Sequence, residues 1–340
     1  MHRRRVAAAV VAALLLIASA AEAQAPSRLK VGVLKLTSSA VLFVGVEKGF
    51  FKEFGVEPEL VYFQAAAPIA TALAAGQIDV GATGLTAALY NIVLGGEKLW
   101  IVADKGREWP GYPLTAIVVQ KDLWESGVRT VADLKGKRIA VTQLGSTFHF
   151  HLGNVLEKHG LTLDDVKVVP LQAMPAALEA LKGKQVDAII LAQPFPSRAE
   201  TDGFGKILAW GGDLFPWQTA TVFYSNKLAQ DRTKAVSFMK GYVKSARYYY
   251  DAVLVQKDGR IAPGAHYDEV VAITSKYVGA PPAIIKVGFP FQDRNGRLWV
   301  QDIEKQMTWW QKHGFIKTVL PLKQIVDTSF LEAAAKAVPE

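Results

Sequence analysis

Four short stretches of this chain join hydroxyls, amides or glycines to residues that can start a helix. They are Leu36-Thr37-Ser38-Ser39, Thr83-Gly84-Leu85-Thr86, Gln143-Leu144-Gly145-Ser146-Thr147 and Gln193-Pro194-Phe195. Each follows an apolar run that reads as a strand. A helix start leaves backbone N–H groups unpaired and carries partial positive charge, so such turns suit a carboxylate, sulfonate, phosphate or nitrate. The candidate ligand contacts are therefore Thr37, Ser38, Ser39, Thr83, Gly84, Gly145, Ser146, Thr147 and Gln193. The plainer alternative for each Ser or Thr is that it only caps its own helix.

A second group follows the apolar run that closes at Ala103: Lys105, Arg107, Trp109 and Tyr112. Arg107 suits an anion and Trp109 suits stacking on a ring. Trp217, with Trp210, poses the same choice between ligand and core. His149 falls in the first turn of an expected helix, within reach of a ligand. His149 and His151 are two residues apart, so on a helix they diverge, and with His159 they make no metal set. No Ser sits in a Gly-x-Ser-x-Gly elbow, and no phosphate loop ends in Gly-Lys-Ser/Thr. The turn carboxylates Asp164-Asp165 read as solvated. We therefore expect no catalytic residue, no metal and no cofactor.

The elements that must position these turns alternate. Strands are expected at 30–34, 60–63, 80–82, 99–103, 138–141, 166–169 and 188–191, with helices between them. One helix is expected from about residue 37 to Phe54, on the spacing of Leu42, Val46, Phe50 and Phe54, ended by Gly55. Alternation of this kind gives α/β layers, with parallel-rich sheets flanked by helices. Ligands then bind beyond the carboxyl ends of the strands.

A repeat organises the whole. Pro68 opens an Ala/Leu helix, Gly76 ends it and Asp79 enters a strand; Pro175, Gly183 and Asp187 do the same about 107 residues later, roughly one small domain. Two like lobes follow, with a cleft between them. We expect lobe one over 24–114 plus 226–340 and lobe two over 115–225. In this reading 114–119 is the first crossing and 219–224 precedes the return. The helices carrying Phe238, Tyr242 and Tyr249, and Ile303, Met307 and Trp310, should complete lobe one.

Residues 1–23 read as a cleavable export leader: Arg3-Arg4-Arg5, an apolar run too short to span a membrane comfortably, then Ala21-Glu22-Ala23. The chain has 340 residues, net charge +8 and no cysteine. Without cysteine there is neither disulfide, thiolate nucleophile nor lipidated anchor. The location expected is a periplasm. The positive charge is spread thinly, which argues against nucleic acid.

The stretch Val41-Leu42-Phe43-Val44-Gly45-Val46-Glu47-Lys48-Gly49-Phe50-Phe51 resembles the first helix of the nitrate/sulfonate/taurine family of substrate-binding proteins of ABC importers. The resemblance continues through Ala74-Ala75-Gly76-Gln77-Ile78-Asp79, Val131-Ala132-Asp133-Leu134-Lys135-Gly136-Lys137 and Gln193-Pro194-Phe195. It implies a two-lobe periplasmic binding protein fold (type II) that closes on a small anion and hands it to a permease and its ATPase, working as a monomer. It also implies ligand contacts at Ser38, Ser39, Thr83, Gly84, Gly145, Ser146 and Gln193. Many relatives carry an acidic residue where this chain has Gln193, which tilts the expected ligand away from amines. The alternatives are an exported enzyme, a ligand-sensing subunit, or uptake of a thiamine-pyrimidine precursor on the same fold.

Overall fold

In the computed structural model, residues 25–339 are described; the expected leader lies outside them. Ten strands form two five-stranded sheets. The strands are β1 (Ser27–Leu34), β2 (Val56–Phe63), β3 (Val80–Gly84), β4 (Leu99–Glu108), β5 (Thr115–Gln120), β6 (Arg138–Val141), β7 (Lys167–Pro170), β8 (Ala188–Ala192), β9 (Gly205–Trp210) and β10 (Trp217–Ser225). One sheet has the order β2-β1-β3-β10-β4 and the other β7-β6-β8-β5-β9. The orders match strand for strand. In each sheet one strand runs against the other four: β10 in the first, β5 in the second.

Those two odd strands follow from the crossings. β4 ends at the cleft, and the chain enters the second lobe from its cleft side, so β5 must run away from the cleft. β9 and β10 repeat this in reverse. Residues 217–225 thus pair with β3 and β4 in the first sheet, which corrects their assignment to lobe two. The expected first crossing at 114–119 is likewise a full strand of the second sheet. Edge strand β9 went unread because Gly205-Lys206-Ile207-Leu208-Ala209-Trp210 is too brief and mixed to show a period.

The principal helices are α1 (Ala40–Glu47), α2 (Ala66–Ala74), α3 (Ala87–Leu94), α4 (Thr147–Lys158), α5 (Met174–Lys182), α6 (Phe195–Thr201), α7 (Arg232–Val253), α8 (Tyr267–Val278), α9 (Val300–Lys312) and α10 (Ser329–Ala337). α1 is shorter than expected. Phe50 N–H returns to Gly45 O at 2.9 Å, and a separate 3-10 turn, Lys52–Phe54, carries Phe54. The repeat is exact in its strand ends. Asp79 Oδ2 accepts from Lys30 N–H at 2.9 Å, and Asp187 Oδ2 accepts from Arg138 N–H at 2.7 Å, both across 49 residues. Its helix ends differ: Gly76 is left-handed at φ 69°, whereas in the second copy Lys184, after Gly183, takes φ 57°.

α7, α8 and α10 bury Phe238, Tyr242, Tyr249, Val270 and Phe330 with β1 and β10 residues in one core. α9 packs on lobe one as expected, with Asp302 and Gln306 bonded to Gln218 of β10, and it also reaches lobe two. Its Ile303, Met307 and Trp310 join the core that also holds lobe-two residues. Trp309 and Trp310 meet Phe150 of α4 with ring centroids at 5.0 and 5.4 Å, and Lys312 pairs with Glu157 at 3.1 Å. α9 therefore straps the two lobes together. No described helix is long and apolar enough to cross a membrane.

Candidate functional site

The lobes are closed on each other at the carboxyl ends of their parallel strands. Hydrogen bonds that bridge them there include Ala87 N–H to Gly145 O at 2.9 Å, Thr147 Oγ1 to Leu85 O at 3.0 Å, Thr37 N–H to Gln193 O at 3.2 Å and Met174 N–H to Gln64 O at 3.4 Å. Gly84 makes the approach possible, because a Cβ there would sit 2.3 Å from Thr147 Oγ1.

Between the lobes lies a cavity supplied by the ends of β1, β3, β4 and β8 and the starts of β5, β10 and α4. Its walls are largely aliphatic, with Leu34, Leu36, Ala65, Leu114, Met174 and Ala192 among them. Its polar groups are hydroxyls and one cation, Lys105; no carboxylate, His or Arg lines it. The cavity volume is about 30 Å³, far below the roughly 300–1,000 Å³ of a typical ligand pocket. A larger ligand requires the lobes to part.

Lys105 is 1 % exposed. Its ammonium donates to Ser38 Oγ at 3.2 Å, and it forms no ion pair among the described residues. The adjacent carboxylate Asp104 is occupied elsewhere: it lies 3.4 Å from Arg107 Nε and accepts from Gly106 N–H at 2.9 Å and Gln218 Nε2 at 2.6 Å. Burial pulls the Lys105 ammonium down to about 7, against the attraction of Asp104. A bulge aims this side chain. β10 pairs Thr221 with Asp104 but Ala220 with Gly106, leaving Lys105 as the extra residue, and a bulge re-aims a side chain in this way. The sequence reading closed β4 at Ala103 and placed Lys105 only near the cleft mouth.

The structure brings four of the expected contacts to the cavity wall: Ser38, Thr83, Gly84 and Thr147. Thr83 Oγ1 is buried without a partner. Thr37 is buried beside them with Oγ1 also unpartnered. The other expected contacts are engaged elsewhere. Ser39 Oγ donates to Leu34 O at 2.8 Å. Ser146 Oγ accepts from His149 N–H at 3.2 Å, capping α4. Gly145 N–H donates to His149 Nδ1 at 3.0 Å, and burial holds that imidazole down at about 4. Gln193 bonds Ser197, donating to its Oγ at 2.6 Å.

Arg107, read as the anion partner, is committed within lobe one. It pairs with Asp104, donates from Nε to Gln218 Oε1 at 3.2 Å, and lies over Phe291. Trp109 stacks on Phe291 at 5.4 Å, away from the cavity. Trp217 is fully buried against Phe150 and His151. Trp217 is claimed by the core, while Arg107 and Trp109 are held by lobe-one partners. Among the described residues no cluster of three metal-ligating side chains occurs.

A buried polar cluster missed by the sequence reading sits where the chain crosses. Thr115 Oγ1 donates to Glu108 Oε1 at 2.6 Å and lies 2.9 Å from His151 Nδ1, which on that assignment donates to it. Burial pushes the Glu108 carboxyl up to about 8 and the His151 imidazole down to about 3. Both are neutral at pH 7. Glu108 ends β4 and Thr115 starts β5, and a Cβ at Gly211 would strike all three side chains. The cluster therefore holds the two crossings against each other.

Two like α/β lobes, joined by two crossings and closed over a cavity at their strand ends, define the periplasmic binding protein fold. The chain belongs to the NMT1-like family, whose sequence profile matches residues 22–259. A provisionally named ABC transporter periplasmic binding protein of Brachyspira hyodysenteriae is 31 % identical over 226 residues, 64 % of each chain. The taurine-binding periplasmic protein of Escherichia coli is 26 % identical over 242 residues, 70 % of each. Against the Brachyspira protein the match spans just under two-thirds of the relative's length. The nitrate-binding protein NrtA of Synechocystis superposes with TM-score 0.74 at 14 % identity, covering 92 % of this chain and 89 % of its own. The desulfurization enzyme DszB superposes at 0.64 with 16 % identity, covering 92 % and 99 %. At such identities the likeness establishes fold alone.

Proposed function

We propose that this chain is the exported solute-binding component of an ABC importer. It captures a small organic anion, a sulfonate or carboxylate with an aliphatic or aromatic body, and presents it to a membrane permease coupled to an ATPase. One observation carries the reading: an interlobe cavity with aliphatic walls, hydroxyls of which Thr83 has no partner, a single buried cation and no carboxylate. The cation and the unpartnered Thr83 hydroxyl suit a one-charge head, and the aliphatic wall favours an organic body over bare nitrate. The relatives named for ABC transport and taurine binding support the same class. Ser38, Thr83, Thr147 and Lys105 are the contacts we assign, and the protein works as a monomer in the periplasm.

The test is a thermal-shift screen of the purified protein over sulfonates, carboxylates, nitrate and neutral pyrimidines. A ligand at a hundred times its Kd should stabilise the fold by about 2.7 kcal/mol. Hits confined to neutral pyrimidines would overturn the anion reading. Conversion of the ligand, followed by mass spectrometry, would overturn the binding reading in favour of an enzyme.

A further inference from the structure

We infer that Lys105 makes closure of the lobes conditional on an anion: it holds the empty protein open and releases it to close when a single negative charge enters the cleft. The inference rests on the proposed reading of the cleft and adds how that site is regulated. In the closed form the Lys105 ammonium is wholly buried, with one neutral hydroxyl partner, Ser38 Oγ. An uncompensated buried charge is costly, so a cationic Lys105 disfavours closing an empty cleft. In an open cleft water solvates the same group. A bound anion supplies the missing countercharge, and closure then buries a pair. A neutral solute of the same shape gives no such relief. Two negative charges would leave one unpaired. The device therefore selects single-charge ligands by the conformation it permits.

The surroundings offer Lys105 no substitute. The cavity receives Ser38 from the β1 turn, Thr83 from β3, Thr219 from β10, and Thr115 and Thr147 from lobe two, none of them titratable. Of the titratable groups outside that wall, Asp104 attracts the ammonium only in part, being tied to Arg107, and Glu108 and His151 behind Thr115 are both neutral at pH 7. The ammonium falls from its ordinary 10.5 to about 7 on burial. That difference of 3.5 units weights the open state of the empty protein by up to about three thousandfold at pH below 7. The weighting falls away as the pH rises from about 7 toward 10.5, so alkali should favour empty closure.

The experiment is small-angle scattering on the full-length mature protein without ligand, at pH 6 and pH 9, for wild type, Lys105→Met, Lys105→Gln and Lys105→Arg. At pH 6 the wild type and K105R should have the larger radius of gyration, and K105M and K105Q should already be compact. From pH 6 to 9 the wild type should shrink relative to K105M, a reference that cancels the contribution of Glu108. Empty K105M and K105Q as extended as the wild type would overturn the inference. So would a wild type already compact at pH 6. These outcomes need no ligand, so they are independent of the screen: a failed anion screen with compact K105M would reject the ligand class and leave the gate standing.

Discussion

Replacing Glu108 with Gln keeps the side chain's shape and removes its titration. Glu108 ends β4, is fully buried, and accepts from both Thr115 N–H and Thr115 Oγ1. Its folded value is about 8 against an ordinary 4.5. A carboxyl raised on folding adds stability that is complete below about pH 4.5 and is lost as the pH climbs through about 8. The interval of 3.5 units, at 1.36 kcal/mol each, sets a ceiling of about 5 kcal/mol on that loss. Water entering at the crossing will reduce it, and we expect about 2–3 kcal/mol. His151 acts on the other side. Its folded value of about 3 lies below the ordinary 6.5, so its contribution is complete above pH 6.5 and is lost as the pH falls toward 3. The joint contribution of these two groups should thus be greatest between about pH 4.5 and 6.5, where their slopes oppose each other. The assay is urea unfolding of wild type and E108Q from pH 5 to 9. The wild type should lose stability relative to E108Q between pH 6.5 and 8.5. Parallel profiles across that range would refute the buried neutral carboxyl and the clamp built on it.

Gly84→Val places atoms where Thr147 Oγ1 lies 2.3 Å from even a Cβ; it should weaken ligand affinity more than tenfold by calorimetry with unchanged far-UV circular dichroism. Thr83→Ala removes a hydroxyl that has no protein partner and should weaken binding by about 0.5–1.5 kcal/mol, whereas Ser146→Ala removes an N-cap and should lower stability by about 1 kcal/mol with affinity retained. Trp217→Ala empties a fully buried site and should cost about 3–5 kcal/mol in chemical denaturation.

The sequence disclosed the frame better than the site. Pro68, Gly76 and Asp79, recurring as Pro175, Gly183 and Asp187, mark the scaffold ends of both lobes, and their backbone bonds match across the repeat. Hydroxyl-rich strand ends were legible because a turn before a helix has a recognisable composition, and Ser38, Thr83 and Thr147 reach the cavity. Which hydroxyl caps a helix and which faces the cleft was not legible. Ser146 and Thr147 are neighbours with the same chemistry, and one helical step of about 100° separates a capping role from an interlobe bond. Strand membership at the crossings was hidden too. The apolar run 217–225 has no local mark of the sheet it joins; only its entry from the cleft side, opposite to its neighbours, decides it.

The exchange of Arg107 for Lys105 shows where one-dimensional reading fails and what replaces it. In a regular strand, residues two apart share a face, so an unbroken β4 would send Lys105 and Arg107 to the same side. The register slip opposite Ala220 and Thr221 breaks that equivalence, turning Lys105 to the cleft while Arg107 locks onto Asp104 and Gln218. The lock is what leaves the cleft cation poorly compensated, because it occupies the adjacent carboxylate, Asp104. Arg107→Ala should therefore free Asp104 to compensate Lys105 and ease closure of the empty cleft. Scattering on R107A at pH 6 should give a radius between those of the wild type and K105M. A radius equal to the wild type would mean that Asp104 is held away from Lys105 by Gln218, Gly106 and Asp293 without Arg107.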